Sequence, residues 1–300
     1  MDDGYVEVDG ERRLAYRSTG PADGFPLFFF HGLGQSRLTV HPDESIIDEL
    51  GIRLVAIDRP GVGLSDPQPK RILLDWPTDV SVIADRLGYQ QFAILGHSAG
   101  APYVAACAYA MPERILSATI VSGISPPSRG LLRPMLASEF WKMGMLLFCV
   151  PALTRPVIWA VVAYARPRAS RLYGNHLARL PEADREAMAD PAMREMRIVS
   201  MLEAFRQGPE GLCEDIALLR RAWGFDVAAI EMPVRVIHGE RDSIVDVSFG
   251  RELARRIPDC VPDFRPELGH NLLLSHWREI LSAARDDAQR RVATARPNAS

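Results

Sequence analysis

Five short segments of this chain are apolar almost throughout. They are Pro26-Leu27-Phe28-Phe29-Phe30, Arg53-Leu54-Val55-Ala56-Ile57, Phe92-Ala93-Ile94-Leu95, Ile115 to Ser122, and Val234-Arg235-Val236-Ile237. A strand with one wet face alternates apolar and polar residues; these do not, and read as strands buried on both faces. Between them lie segments with helical spacing. Val80, Ile83, Ala84 and Leu87 recur within Thr78 to Leu87, and Gly88 can end that helix. Ala101 to Ala108 is small and apolar, Phe249 to Ile257 reads as a helix, and Trp277 onward as a terminal one. Strands alternating with helices predict an α/β fold, a mostly parallel central sheet flanked by helices. Ahead of it, Tyr5 to Val8 and Arg12 to Tyr16 flank Asp9-Gly10, a hairpin signal. Val261 to Leu268 is a weaker strand, and Ala293 to Ser300 is expected to fray.

The alternation breaks at Gly123 and returns near Val234. The intervening residues offer Pro-punctuated helical stretches: Leu131 to Val150, Thr154 to Ala165, Pro181 to Ala189 and Met193 to Arg206. The expected organisation is a core of residues 1–123 and 227–300, interrupted by a helical lid over 124–226. Phe140, Trp141, Met145, Phe148, Trp159 and Tyr164 are expected mainly to pack that lid. Between Ser125 and Phe225 there are 14 Lys and Arg against 10 Asp and Glu. The excess reads first as solvated helix faces and second as a mild preference for anionic substrates.

Composition narrows the function by exclusion. A formal net charge of −3 over 300 residues gives no reason to expect nucleic acid. The cysteines at 107, 149, 213 and 260 form no CxxC pair, so neither a disulfide framework nor a metal site is expected. The uncharged run Met143 to Thr154 is too short to span a bilayer. Met1-Asp2-Asp3-Gly4 lacks a signal peptide's character, which makes the cytoplasm the default compartment. No nucleotide cofactor is expected either. Gly61 and Gly63 have the first spacing of a dinucleotide fingerprint, but Asp66 stands where the third glycine belongs. Sequence alone sets no oligomeric state.

The candidate chemistry centres on Gly96-His97-Ser98-Ala99-Gly100, between an apolar strand and a small-residue helix. Strand, sharp turn and helix with Ser at the apex make a nucleophile elbow, which presents the hydroxyl to a substrate. Two further groups follow at strand ends, Asp242 and His270. A Ser hydroxyl is a poor nucleophile until a base takes its proton, and a carboxylate on the base's other nitrogen fixes the tautomer. Asp246 is the alternative acid. His97 and His238 read as structural hydrogen-bonders and His276 as packing or surface. His31 reads as holding its own loop, and His41 and His176 carry no motif. His31-Gly32-Leu33-Gly34 is either a plain turn or a source of backbone N–H groups for an oxyanion.

These motifs together resemble the α/β-hydrolase superfamily, in its lid-bearing serine hydrolase branch. His31 to Gly34 looks like the HGxG loop and Asp58 to Ser65 like the DxxGxGxS loop. Gly96 to Gly100 matches the elbow, Gly239 to Asp242 the GxxD loop, and Gly269-His270 the GH. The resemblance implies Ser98 as nucleophile, His270 as base and Asp242 as its partner, with the backbone N–H groups of Leu33 and Ala99 as the oxyanion hole. It implies cleavage of an ester, lactone, thioester or amide through an acyl-enzyme. No cofactor is implied, and the substrate is a small molecule with an apolar acyl or alcohol part. Relatives of the fold that use the same triad leave alternatives: carbon–carbon bond hydrolases, perhydrolases, hydroxynitrile lyases, a non-hydrolytic ligand receptor, and aminopeptidases. An aminopeptidase needs acidic groups for the substrate amine, and Glu139, Glu203 and Glu214 are available in the lid.

Overall fold

The computed structural model describes residues 2–128 and 151–295. The helix expected over Leu131 to Val150, with Phe140, Trp141, Met145 and Phe148, lies outside the described residues, as does Glu139. Eight strands form one sheet: β1 Asp2–Glu7, β2 Arg13–Thr19, β3 Phe25–Phe30, β4 Ile52–Ile57, β5 Phe92–His97, β6 Ile115–Val121, β7 Val234–Gly239 and β8 Cys260–Arg265. Their order is β1-β2-β4-β3-β5-β6-β7-β8. β1, β2 and β4 pair antiparallel, and every later pairing is parallel. The β1–β2 hairpin turns at Gly10, whose φ of +78° suits the Asp-Gly corner.

The helices are α1 Ser45–Glu49, α2 Trp76–Arg86, α3 Ala101–Ala110, α4 Pro151–Ala165, α5 Ala169–Leu177, α6 Glu182–Ala187, α7 Pro191–Ala204, α8 Glu210–Leu219, α9 Val247–Arg256, α10 Leu272–Ser275 and α11 Trp277–Ala295. The continuous apolar strands are explained by the layers they separate. Phe28, Phe30, Val55, Ile57 and Ile94 point to one face, among α2, α3 and α9 side chains such as Val80, Val104 and Phe249. Leu27, Phe29, Leu54, Ala56 and Leu95 point to the other, against Trp277, Ile280 and Leu281 of α11. With period two and both faces dry, apolar residues fill most positions of these strands.

Between β6 and β7 the described residues are helical, α4 to α8. Helices α5 and α8 were not legible as such. Gly174 inside α5 weakens its helical signal, and Gly208, Pro209 and Gly211 give the start of α8 the composition of a loop. Gly211 has a steric reason: a Cβ there would meet the backbone of Gly61. One expectation for this region needs correction. Trp159 and Tyr164 of α4 are exposed among the described residues, not packed inside it. At the C-terminal end α11 runs to Ala295, and the rest of the segment expected to fray, 296–300, lies outside the described residues. No helix among the described residues is long and apolar enough to cross a membrane.

Candidate active site

Ser98 sits where β5 ends, and its backbone is left-handed, with φ at 55°. A non-glycine residue pays for that conformation, so it persists only where the surroundings impose it. The glycines on either side are that surrounding. A Cβ on Gly96 would come within 2.6 Å of Val104 Cγ2 and 2.7 Å of the Gly100 carbonyl oxygen. A Cβ on Gly100 would run into the Phe30 carbonyl of β3. The turn closes onto its helix and the neighbouring strand, leaving Ser98 at the C-terminal edge of the sheet.

His270 and Asp242 come from the loops after β8 and β7. His270 Nδ1 lies 2.8 Å from Asp242 Oδ2. A carboxylate only accepts, so Nδ1 carries the proton and Nε2 is left as the basic nitrogen. Asp242 Oδ1 accepts from the backbone N–H groups of Ile244 and Val245 at 2.9 and 2.8 Å. His238 donates from Nε2 to the Val245 carbonyl at 2.9 Å, with the same nitrogen 3.3 Å from Asp242 Oδ2. Burial alone would raise the Asp242 pKa; His270 and His238 outweigh it and hold the carboxylate well below its usual range. His97 donates from Nε2 to the His270 carbonyl at 3.0 Å and so fixes that loop from the strand side. Asp246 is elsewhere: it caps α9, accepting from Ser248 N at 2.9 Å. His276 is bonded to the Ser275 hydroxyl, and His41 stacks on Trp277.

The loop His31 to Gly34 is held by a residue that motif reading did not single out. Arg59 donates to the carbonyls of His31 and Gly32, and its guanidinium pairs with Asp215 of α8 at 2.7 Å. Arg71 and the Tyr103 hydroxyl share the same carboxylate. All of these groups are buried. Burial and the nearby Arg59 push the His31 pKa down, and the neutral ring donates to the Gly32 carbonyl at 3.0 Å.

Ser98, His270, Leu33 and Ala99 line one cavity of about 360 Å³. The rest of its wall is mostly apolar, from Ile124, Leu180, Met201, Leu219, Ile244 and Val245. Asp242 stands behind His270 and is not part of the wall. Two members were missed or misread from sequence. His176, unremarkable by motif, lines the cavity, as does the wholly unflagged Arg197. A signal for Arg197 was present: Met193, Arg197, Ser200 and Ala204 are the buried residues of α7, and their spacing is one helix face. Among the described residues no cluster of His, Cys, Asp and Glu could hold a metal.

A mostly parallel sheet with a strained Ser elbow, a His–Asp pair after the last strands and a cavity between them define a class of protein. Residues 26–276 match the family model of the alpha/beta hydrolase fold, and the chain belongs to that family. It is 26% identical to RutD of Variovorax paradoxus, a proposed carbamate hydrolase, over 86% of this chain and 89% of that one. It is 31% identical to a non-heme chloroperoxidase of Streptomyces lividans, over 41% of this chain and 45% of that one. The match therefore spans less than half of the chloroperoxidase. The esterase RhEst1 from Rhodococcus sp. ECU1013 superposes with a TM-score of 0.70 at 23% identity, over 96% of this chain and 99% of that one. That likeness concerns the fold.

Proposed function

We propose that this protein is a serine hydrolase cleaving a carboxylic ester, or a related lactone, thioester or amide, through an acyl-enzyme. The observation that carries the reading is the His270 Nδ1 to Asp242 contact of 2.8 Å, behind a cavity that Ser98 and His270 share. Ser98 Oγ attacks the carbonyl carbon as His270 Nε2 takes its proton. Asp242 stabilises the imidazolium through Nδ1–H. The Leu33 and Ala99 N–H groups receive the oxyanion. The alcohol departs with the proton from His270. Water then repeats the sequence on the acyl-enzyme and restores Ser98.

In this reading residues 124–226 form a lid on a core of 1–123 and 227–300. Tyr173, His176, Leu180, Arg197, Met201 and Leu219 bring that segment into the cavity wall. The substrate carries an apolar acyl or alcohol part, in keeping with the aliphatic wall. The likeness to RutD, a proposed carbamate hydrolase, supports hydrolysis and leaves the leaving group open. A panel of p-nitrophenyl esters of increasing acyl length, with Ser98→Ala as control, tests the proposal. Steady-state release of nitrophenol that Ser98→Ala abolishes supports it. Saturable binding without turnover of any member contradicts it and leaves a ligand receptor.

A further inference from the structure

We propose that Arg197 is the anion-recognition residue of this site, so that the substrate class is an ester carrying a carboxylate on an otherwise apolar skeleton. The inference rests on the hydrolase reading above and specifies its substrate. Arg197 belongs to α7, is 7% exposed, and lines the cavity that holds Ser98 and His270. Its Nη2 donates to Asn271 Oδ1 at 2.6 Å, a neutral acceptor. Among the described residues no carboxylate lies within ion-pair distance of it. A buried arginine ordinarily has such a partner, because an isolated buried cation is costly.

The acid behind Asn271 does not fill the role. Asp184 of α6 accepts the Asn271 N–H at 2.7 Å on Oδ1. Its other oxygen packs over Gly269, where a Cβ would collide with it, and it is not part of the cavity wall. Burial lowers the Arg197 pKa, and Asp184 offsets that only in part and from a distance, with Asn271 between them. The other polar cavity residues from this segment are Tyr173 and His176. Burial lowers the His176 pKa and favours the neutral ring, so His176 adds no second cation to this wall. A guanidinium is planar, permanently charged and able to grip a carboxylate with two N–H groups. Here it sits on the wall of an apolar chamber that also holds the nucleophile, and its position is fixed. Ser200, three residues on, bonds the Ser36 N–H at 2.9 Å and Thr39 Oγ1 at 2.6 Å. Glu203 pairs with Arg37 at 2.7 Å.

The test uses matched ester pairs on the full chain. One pair places the anion on the acyl side, p-nitrophenyl hydrogen glutarate against p-nitrophenyl valerate. The other places it on the alcohol side, 3-acetoxybenzoate against phenyl acetate. The wild-type protein should favour the anionic member of at least one pair in kcat/KM. Arg197→Gln should lower that anionic-to-neutral ratio by about ten- to 100-fold, the worth of a charge-assisted hydrogen bond. Arg197→Lys should retain part of it. A purely structural role would depress both members alike and leave the ratio unchanged, which overturns the proposal. So does a neutral preference in both pairs. A catalysis-free arm separates the two readings. Calorimetry on Ser98→Ala should show monomethyl glutarate binding more tightly than methyl valerate, and the difference should vanish when Arg197→Gln is added. If that holds while no ester is turned over, the anion site stands and the hydrolase reading falls. If the two ligands bind alike, the anion site falls whatever the turnover.

Discussion

The Asp215 carboxylate of α8 lies 2.7 Å from the Arg59 guanidinium, 156 positions earlier in the chain. Through Arg59 it reaches the carbonyls of His31 and Gly32, the loop proposed to receive the oxyanion. The helical segment therefore does more than border the cavity. It supplies the counter-charge that fixes a loop of the core.

Removing that counter-charge should be strongly destabilising. Asp215→Asn leaves Arg59 and Arg71 buried without their shared anion, and the expected loss is about 3–5 kcal/mol. The effect has a pH signature. Burial alone would raise the Asp215 pKa, but Arg59 and Arg71 overcome it and hold the carboxylate well below its usual range. A depressed folded pKa contributes stability above the unfolded value of about 3.9, and that contribution is lost as pH falls toward the folded value. Urea unfolding should thus give a wild-type advantage over Asp215→Asn that is constant above about pH 5 and shrinks below about pH 4. An advantage that grew on acidification would contradict the assignment.

The elbow glycines should be far less tolerant than a glycine with open space around it. Gly100→Ala drives a methyl group into the β3 backbone at Phe30, which cannot yield as a flexible side chain would. The expected cost is about 1–3 kcal/mol or more, together with loss of activity. Gly174 of α5 is the control, because nothing lies within 4 Å of a Cβ there. Gly174→Ala should stabilise by about 0.5–1 kcal/mol. Thermal unfolding of the two variants checks the contrast, and equal effects would remove the steric account of the turn.

The two acids near β7 should separate cleanly. Asp242→Asn should leave the protein folded and lower kcat by several orders of magnitude, roughly 10⁴-fold as in the serine protease triad. An amide can donate to His270 Nδ1 and trap the tautomer that cannot accept the Ser98 proton. Asp246→Asn should change activity little, since Asp246 caps α9 and Asn is nearly as good a cap. Steady-state kinetics on the two variants decides between them; the reverse order of damage would mean that the acid is Asp246.

Much of this was legible in the chain. The sheet could be read because its central strands are dry on both sides, so Phe28 and Phe29 are equally apolar although they face different layers. Ser98, Asp242 and His270 could be picked out because each stands at a strand end within a short motif whose glycines have steric causes. Arg197, Asp184 and Asp215 could not be found in that way. Each is one charged residue on a helix rich in charge, and its burial depends on partners far away in sequence. Only its place on the buried stripe of α7 marked Arg197, and that stripe gives no hint of a cavity on its other side. His176 was passed over for the same reason, having no motif of its own.

The central claim is that Ser98 is the nucleophile, and the direct measurement is the site of covalent labelling. The intact protein is treated with a fluorophosphonate, digested and mapped by mass spectrometry. The expected result is a single adduct on Ser98, absent in Ser98→Ala and slowed in His270→Ala, since the hydroxyl then lacks its base. An adduct on another residue, or labelling undiminished in Ser98→Ala, would contradict the account.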